Sequence, residues 1–244
     1  MKIELSPSHD LPRLVKRYSE RGRIQIRDLF VEAGAEAILA EIEKLPWGLA
    51  FNQGQQVVEL DAQRLARIGQ AESARMLAEI YEGARSGYQF LYAYYPLLTA
   101  YFSPQHPDMP LFRAYEFINS PPFLDFIREL TGLRSIKWAD AQATCFRAGH
   151  FLKYHTDENP AQRRAAAYVL NFTKSWGRDW GGYLQFFNDR YDVEEGYRPV
   201  FNAINIFTIP ADHSVSAVAS YVQSSRYSIT GWFREDDPPG PFRG

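Results

Sequence analysis

Apolar positions recur at three- and four-residue intervals in the first half of the chain and alternate with polar ones in short runs in the second. The first pattern predicts helices over Ala35 to Lys44 and Asp61 to Gly83. Along the longer segment Ala62, Leu65, Ala66, Ile68, Ala74, Met76, Leu77, Ile80 and Tyr81 are expected to cover one broad stripe, and the Asp61 carboxylate is placed to accept from the first-turn amides. A further helix starts after Pro121-Pro122, whose fixed φ suits a first turn, and carries Phe123, Leu124, Ile127 and Leu130 to Gly132.

From about Ile136 the chain changes to β-type runs rich in aromatic and branched residues and broken by Gly, Pro, Asn and Asp. The predicted strands are Ala141 to Arg147, Phe151 to His155, Ala165 to Phe172, Tyr183 to Phe187, Ala203 to Ile209, Ser214 to Val218 and Arg226 to Arg234. So many short strands after a helical half predict a sandwich or jelly roll in an α+β chain. The expected organisation is a mainly helical supporting region over 1–135, a core over 136–235 and a flexible tail over 236–244 with three prolines and two glycines.

Composition narrows the function classes. With 244 residues, 45% of them hydrophobic, the chain can bury a sizeable core as one large domain or as a domain with an extension. Charges nearly cancel, 27 Lys+Arg against 29 Asp+Glu, so no field calls for nucleic acid or anionic lipid. Met1 to Asp10 has no apolar core behind a basic start, and the aromatic run Tyr88 to Phe102 is too short and polar to cross a bilayer. No membrane partner is expected. Cys145 is the single cysteine, which suits a reducing, cytoplasmic setting. Oligomeric state leaves no mark in the sequence.

The candidate chemistry lies in the second half. His155 and Asp157 are separated by Thr156, and residues i and i+2 of an extended segment share a face, so both can reach one metal. His213 follows, and two imidazoles with one carboxylate form the facial triad that leaves positions open on non-haem Fe(II). Alone, His-x-Asp also suits a surface turn, since Asp157 to Pro160 reads as one. Arg226, Ser228, Thr230 and Trp232 share one face of the last strand. A guanidinium there faces either solvent or, if the face is interior, a carboxylate-bearing ligand.

Five stretches in order carry a family resemblance: Phe146 to Asp157, Tyr168 to Asn171, Gly181 to Phe186, His213 to Val215, and Arg226 to Phe233. Over roughly Thr144 to Arg234 the chain resembles the Fe(II)- and 2-oxoglutarate-dependent dioxygenases, particularly the prolyl 4-hydroxylase-like branch. The resemblance implies a double-stranded β-helix, the cupin-like jelly roll, with the N-terminal helices packed on one sheet. It implies His155, Asp157 and His213 as iron ligands and Arg226 as partner of the distal carboxylate of 2-oxoglutarate. Thr230 would assist, and Leu184 and Trp232 would form apolar walls. The implied reaction hydroxylates an unactivated C–H bond with 2-oxoglutarate and O2 as co-substrates, ascorbate as an optional reductant, and succinate and CO2 as products. A prolyl residue of a protein or peptide is the first substrate reading. A free amino acid or small metabolite is the alternative, and a non-catalytic metal-binding domain a third.

Two departures stand out. Relatives often carry tyrosines near the positions of Phe146 and Val169, where this chain has no hydroxyl, and Tyr168 should face the other way. Arg226 also lies 226 − 213 = 13 residues after His213, a longer interval than in many members, which a loop at Ala219 to Ser225 would absorb. Trp176 and Trp180 are expected at the site rim. Tyr88, Phe90, Tyr92, Tyr94 and Tyr95 suit core packing more than a substrate wall, and Asn52 to Gln56 suits a connection more than a lid. Glu194-Glu195 and Asp236-Asp237 read as solvated loop carboxylates.

Overall fold

Capping residues set where the first helices begin and end. In the computed structural model, which describes residues 1–103, 109–159 and 161–243, α1 (Leu11–Arg21) opens with the Asp10 carboxylate accepting from the Arg13 amide at 3.2 Å. It closes at Gly22, whose left-handed backbone suits glycine. Next come β1 (Arg23–Arg27), α2 (Glu32–Ile42) and the hairpin of β2 (Gly48–Gln53) with β3 (Gln56–Leu60). Asp61 caps as expected, but the single helix predicted to Gly83 breaks at Ile68 and Gly69, both extended, into α3 (Ala62–Arg67) and α4 (Gln70–Ser86). β4 (Phe90–Tyr95), α5 (Leu97–Phe102), α6 (Phe112–Ile118) and α7 (Pro121–Thr131) complete this half.

The second half is a run of short strands: β5 (Trp138–Ala139), β6 (Gln142–Phe146), β7 (Phe151–His155), β8 (Arg164–Asn171) and β9 (Leu184–Phe187). β10 (Val193–Tyr197), β11 (Ala203–Thr208), β12 (His213–Val215) and β13 (Arg226–Arg234) follow. All pair antiparallel in the order β1-β11-β8-β13-β6-β4-β7-β12-β9-β10, with β2 joined to β3 and β4, and β5 to β13. β4 is the corner. Ala93 pairs with Cys145 of β6, and Phe90 with Leu152 of β7, so one strand links the two sheets of a nearly closed jelly roll.

The alternation of side chains along each strand divides the molecule. Outward residues of β8, β11 and β13, such as Tyr168, Leu170, Ile206 and Ile229, form one core with Leu14, Ile38, Tyr115, Phe123 and Ile127 of the helices. Phe123 is fully buried there, and its truncation to alanine would cost about 3–5 kcal/mol. Inward residues Ala167, Val169, Phe207 and Trp232 line the barrel. The fold is therefore α+β, a double-stranded β-helix core with the N-terminal helices packed on one sheet.

The first half contributes more to the sheet than its helical periodicity predicts. β4 is buried on both faces, so it shows no alternation, and β1 is too short to show more than Ile24 and Ile26 against three polar neighbours. Phe242 packs on Tyr101, Phe102 and Tyr115, and Trp138 Nε1 donates to the Asp236 carbonyl at 2.9 Å, contacts that the tail's Pro and Gly content did not announce. Gly244, like Pro160 of the predicted turn, lies outside the described residues. Among the described residues, no helix is long and apolar enough to cross a membrane.

Candidate metal centre and co-substrate cavity

His155 ends β7 and His213 begins β12, and the two are direct partners in the ladder between these strands. That register closes the long sequence gap between them. Asp157 arrives differently from the expected extended pair: the strand stops at His155 and Asp157 adopts φ +62°, a left-handed conformation that Asp tolerates better than most residues. Its Oδ1 lies 3.2 Å from His155 Nε2 and its Oδ2 3.4 Å from His213 Nε2, and the ligand atoms of all three lie within 4.8 Å of one another.

The protonation of this cluster decides what it suits. Nδ1 of His155 donates to the Lys153 carbonyl at 2.8 Å, and Nδ1 of His213 to the Ala211 carbonyl at 2.7 Å. Those bonds fix the tautomer and leave each Nε2 as a lone-pair donor aimed at a carboxylate. Three acceptors then converge without a proton between them, an arrangement that a cation stabilises. The donor set, two nitrogens and one hard oxygen, fits a divalent transition metal such as Fe(II).

A cavity of about 120 Å³ extends from the triad into the barrel. At one wall stands Arg226, 2% exposed, its guanidinium 4.9 Å from the Phe146 ring centroid. Its Nε has no hydrogen-bond partner, and among the described residues no carboxylate pairs with it. Burial lowers its pKa to about 10. A buried cation without an anion fits a ligand carboxylate.

The remaining predicted site residues fall on the cavity wall with specific differences. Thr230 lines it, yet its hydroxyl donates to the Tyr168 carbonyl at 2.9 Å, so its proton is already engaged. Leu184 and Trp232 are wall residues. Ser228, fully buried and two residues from Arg226 on the same face, was not singled out from sequence; it accepts from Thr144 Oγ1 at 3.3 Å. Strand alternation alone would have found it.

The hydroxyls absent at Phe146 and Val169 are met from another strand. Tyr92 of β4 stacks on Phe146 at 5.2 Å and lines the cavity, as does Tyr88, whose ring lies 5.5 Å from that of His155. Burial raises the Tyr92 phenol to about 12, which keeps it neutral. The aromatic run thus supplies wall residues as well as core. Tyr168 faces the helices, with its hydroxyl on the Asp140 carbonyl at 2.6 Å.

Trp176 is not a rim residue. It is buried beside Phe146, Val215 and Val222 with its indole N–H on the Gly181 carbonyl at 2.7 Å, and neither it nor Trp180 lines the cavity. Asn52 to Gln56 forms the β2–β3 turn. Glu194 and Glu195 pair with Arg23, while Asp236 and Asp237 pair with Arg234 and Lys137.

Residues 141–234 match the family model described as the 2OG-Fe(II) oxygenase superfamily. A prolyl-4-hydroxylase from Pseudomonas putida is similar in structure with a TM-score of 0.56 at 18% identity, over 93% of this chain and 100% of that one. An oxidoreductase of the 2OG-Fe(II) oxygenase family from Burkholderia pseudomallei gives 0.60 at 12%, over 95% and 93%. A Trichoplax adhaerens prolyl hydroxylase, solved with a peptide fragment of hypoxia inducible factor, gives 0.55 at 13%, over 92% and 89%. At these identities the likeness is one of fold. Comparison with curated proteins gives no match.

Proposed function

We propose, from the match of residues 141–234 to the 2OG-Fe(II) oxygenase superfamily model together with the triad, that the cavity is the active site of an Fe(II)- and 2-oxoglutarate-dependent hydroxylase. The observation that carries this reading is the pairing of an acceptor-only triad with the buried, anion-less Arg226 in one cavity. His155, Asp157 and His213 would hold the iron, which supplies, when bound, the oxygen chemistry that side chains lack. Substrate R–H, O2 and 2-oxoglutarate give R–OH, succinate and CO2.

The chain's own residues bind, orient and shield. Arg226 takes the distal carboxylate of 2-oxoglutarate, with the Ser228 hydroxyl beside it and Thr230 holding the strand through its bond to β8. Leu184, Val169 and Trp232 form the apolar wall that keeps water from the reacting centre. The carbonyls of Lys153 and Ala211 keep both imidazoles in the ligating tautomer. Residues 136–235 would act as the catalytic core, with 1–135 supporting it and adding Tyr88 and Tyr92 to the cavity wall.

A prolyl residue of a protein or peptide is the substrate that the likeness to two prolyl hydroxylases supports. The same chemistry on a free amino acid or other small metabolite is supported by the modest chamber, about 220 Å³, that shares Gln142, Thr230 and Trp232 with the cavity. The test is anaerobic titration with Fe(II) and then 2-oxoglutarate, followed by the visible metal-to-ligand band. We expect a band that disappears in His213→Ala and needs more 2-oxoglutarate in Arg226→Ala. A folded protein with no band would overturn the oxygenase reading in favour of a metal-binding domain. A mass gain of one oxygen on a proline-containing peptide separates the two substrate readings.

A further inference from the structure

Past Gln142, Thr230 and Trp232 the cavity adjoins the second chamber, whose walls include Glu59, Tyr94, Arg164 and Arg234. The two arginines differ in one respect. Arg234 is neutralised in place by Asp140 at 3.1 Å and by Asp236. Arg164 lies flat on Trp232, 3.4 Å from the ring centroid, with Nε on Gln162 Oε1 at 2.9 Å and Nη1 on the Asp157 carbonyl at 3.1 Å. Both acceptors are neutral, and among the described residues no carboxylate lies within ion-pairing distance. Three contacts immobilise the guanidinium and leave its second terminal nitrogen without a partner, so an incoming anion meets a donor that loses little freedom on binding.

Position gives this cation a purpose. Its bond to the Asp157 backbone sets it beside a metal ligand, and Trp232, on which it rests, lines both the cavity and the chamber. Glu59, exposed on β3 at the solvent side of the chamber, accepts from the Tyr94 hydroxyl at 3.0 Å and has no cationic partner among the described residues. The chamber therefore holds one unpaired cation and one unpaired anion.

We propose that Arg164 binds a carboxylate of the substrate, and that the carboxylate-bearing substrate is zwitterionic, as a free α-amino acid is, with Glu59 receiving its ammonium. This rests on the oxygenase reading of the triad cavity. The C-terminal carboxylate of a peptide is the other source of the same chemistry.

The test uses the Fe(II)- and 2-oxoglutarate-loaded protein under anaerobic conditions, with the visible band recorded first. Amino acids, proline included, are then titrated as the free acid, the carboxamide, the N-acetyl acid and the N-acetyl amide, reading perturbation of the band, and in parallel succinate formation in air. Acids should bind about tenfold or more tighter than their amides in the wild type. The ratio should fall to within about twofold in Arg164→Gln and recover in part in Arg164→Lys, with Fe(II) affinity unchanged. A preference retained by the N-acetyl acids points to the peptide terminus as the source and overturns the zwitterion assignment. Equal behaviour of acid and amide throughout, absence of binding included, overturns the carboxylate role. Loss of Fe(II) affinity in Arg164→Gln with the ratio intact would make Arg164 a brace for Asp157 and overturn it too. Absence of the band itself overturns this assignment together with the oxygenase reading.

Discussion

Replacing Arg226 by methionine should make the co-substrate-free protein more stable and the liganded protein weaker. The guanidinium is 2% exposed, its Nε has no partner, and burial lowers its pKa from 12.5 to about 10. That difference corresponds to about 3 kcal/mol held against the charged form at neutral pH. Stacking on Phe146 at 4.9 Å returns roughly 0.5–2 kcal/mol, and methionine keeps much of the side chain's volume. The net gain for Arg226→Met is then about 1–2 kcal/mol, in the range seen when buried charges are replaced by apolar residues. With 2-oxoglutarate the balance reverses. Removing one partner of a buried charge pair costs about 2–5 kcal/mol of binding, so Kd for 2-oxoglutarate should rise roughly thirtyfold or more.

The assay is anaerobic urea unfolding of metal-loaded wild type and variant at pH 7, with and without 2-oxoglutarate. Wild type should gain stability on adding the co-substrate and the variant should gain little. The pH dependence has a defined sign. Burial depresses this cation's folded pKa, so its penalty is fully present below about 10 and is relieved as pH rises from about 10 towards 12.5. The stability gap between variant and wild type should therefore narrow across that window. A variant about 1 kcal/mol or more less stable than wild type without ligand, and equally stabilised by 2-oxoglutarate, would refute the reasoning and show that Arg226 is satisfied from within the fold.

Three further outcomes are expected. Asp157→Ala should reduce metal affinity by more than the roughly 10–100-fold typical of outer-sphere changes while the far-ultraviolet circular dichroism stays native, and unfolding of that variant would sink its assignment as a ligand. Gly181→Ala should cost more than about 2 kcal/mol in urea unfolding, because the backbone there has φ +71° and a Cβ would run into the Ala217 carbonyl. Asp140→Asn should cost about 3–5 kcal/mol, since it leaves Arg234 Nη1 without its carboxylate in a buried pair, and a loss under 1 kcal/mol would mean that Asp236 alone suffices.

What could be read from the chain follows from how local each signal is. β8 and β13 pack one face on helices and the other on the barrel, and the last strand's polar face, Arg226 to Trp232, was visible as such because a period of two is a local property. β4 shows no such period, since both of its faces are buried, and its tyrosines read as core for the same reason. Tyr92 reaches the site only because β4 pairs with β6, placing it against Phe146, and register between distant strands is not written in either one. The helix break has a local signal that the periodicity passes over, since Gly69, Glu72 and Ser73 fall where the apolar stripe would continue and glycine disfavours a helix interior. Arg164 was passed over since nothing in its neighbours marks the indole of Trp232 as its seat.

The unsatisfied polar atoms of the molecule are distributed in a way that bears on function. Among the described residues six buried side-chain atoms lack a hydrogen-bond partner, and four of them, on Asn171, Asn205, Arg226 and Trp232, belong to β8, β11 and β13. All four side chains point into the barrel: Arg226 and Trp232 line the cavity, Asn171 is the direct partner of Ser228, and Asn205 of Val169, both cavity residues. Each such atom costs about 1–3 kcal/mol when left dry. Orphans scattered at random would mark imperfect packing. Two of the four, on Arg226 and Trp232, stand on the cavity wall that also holds the triad, where a polar guest can meet them. Among the described residues the outward faces of these strands carry no such side-chain atom, so the expense falls on the inward side, and for Arg226 and Trp232 where a ligand can offset it.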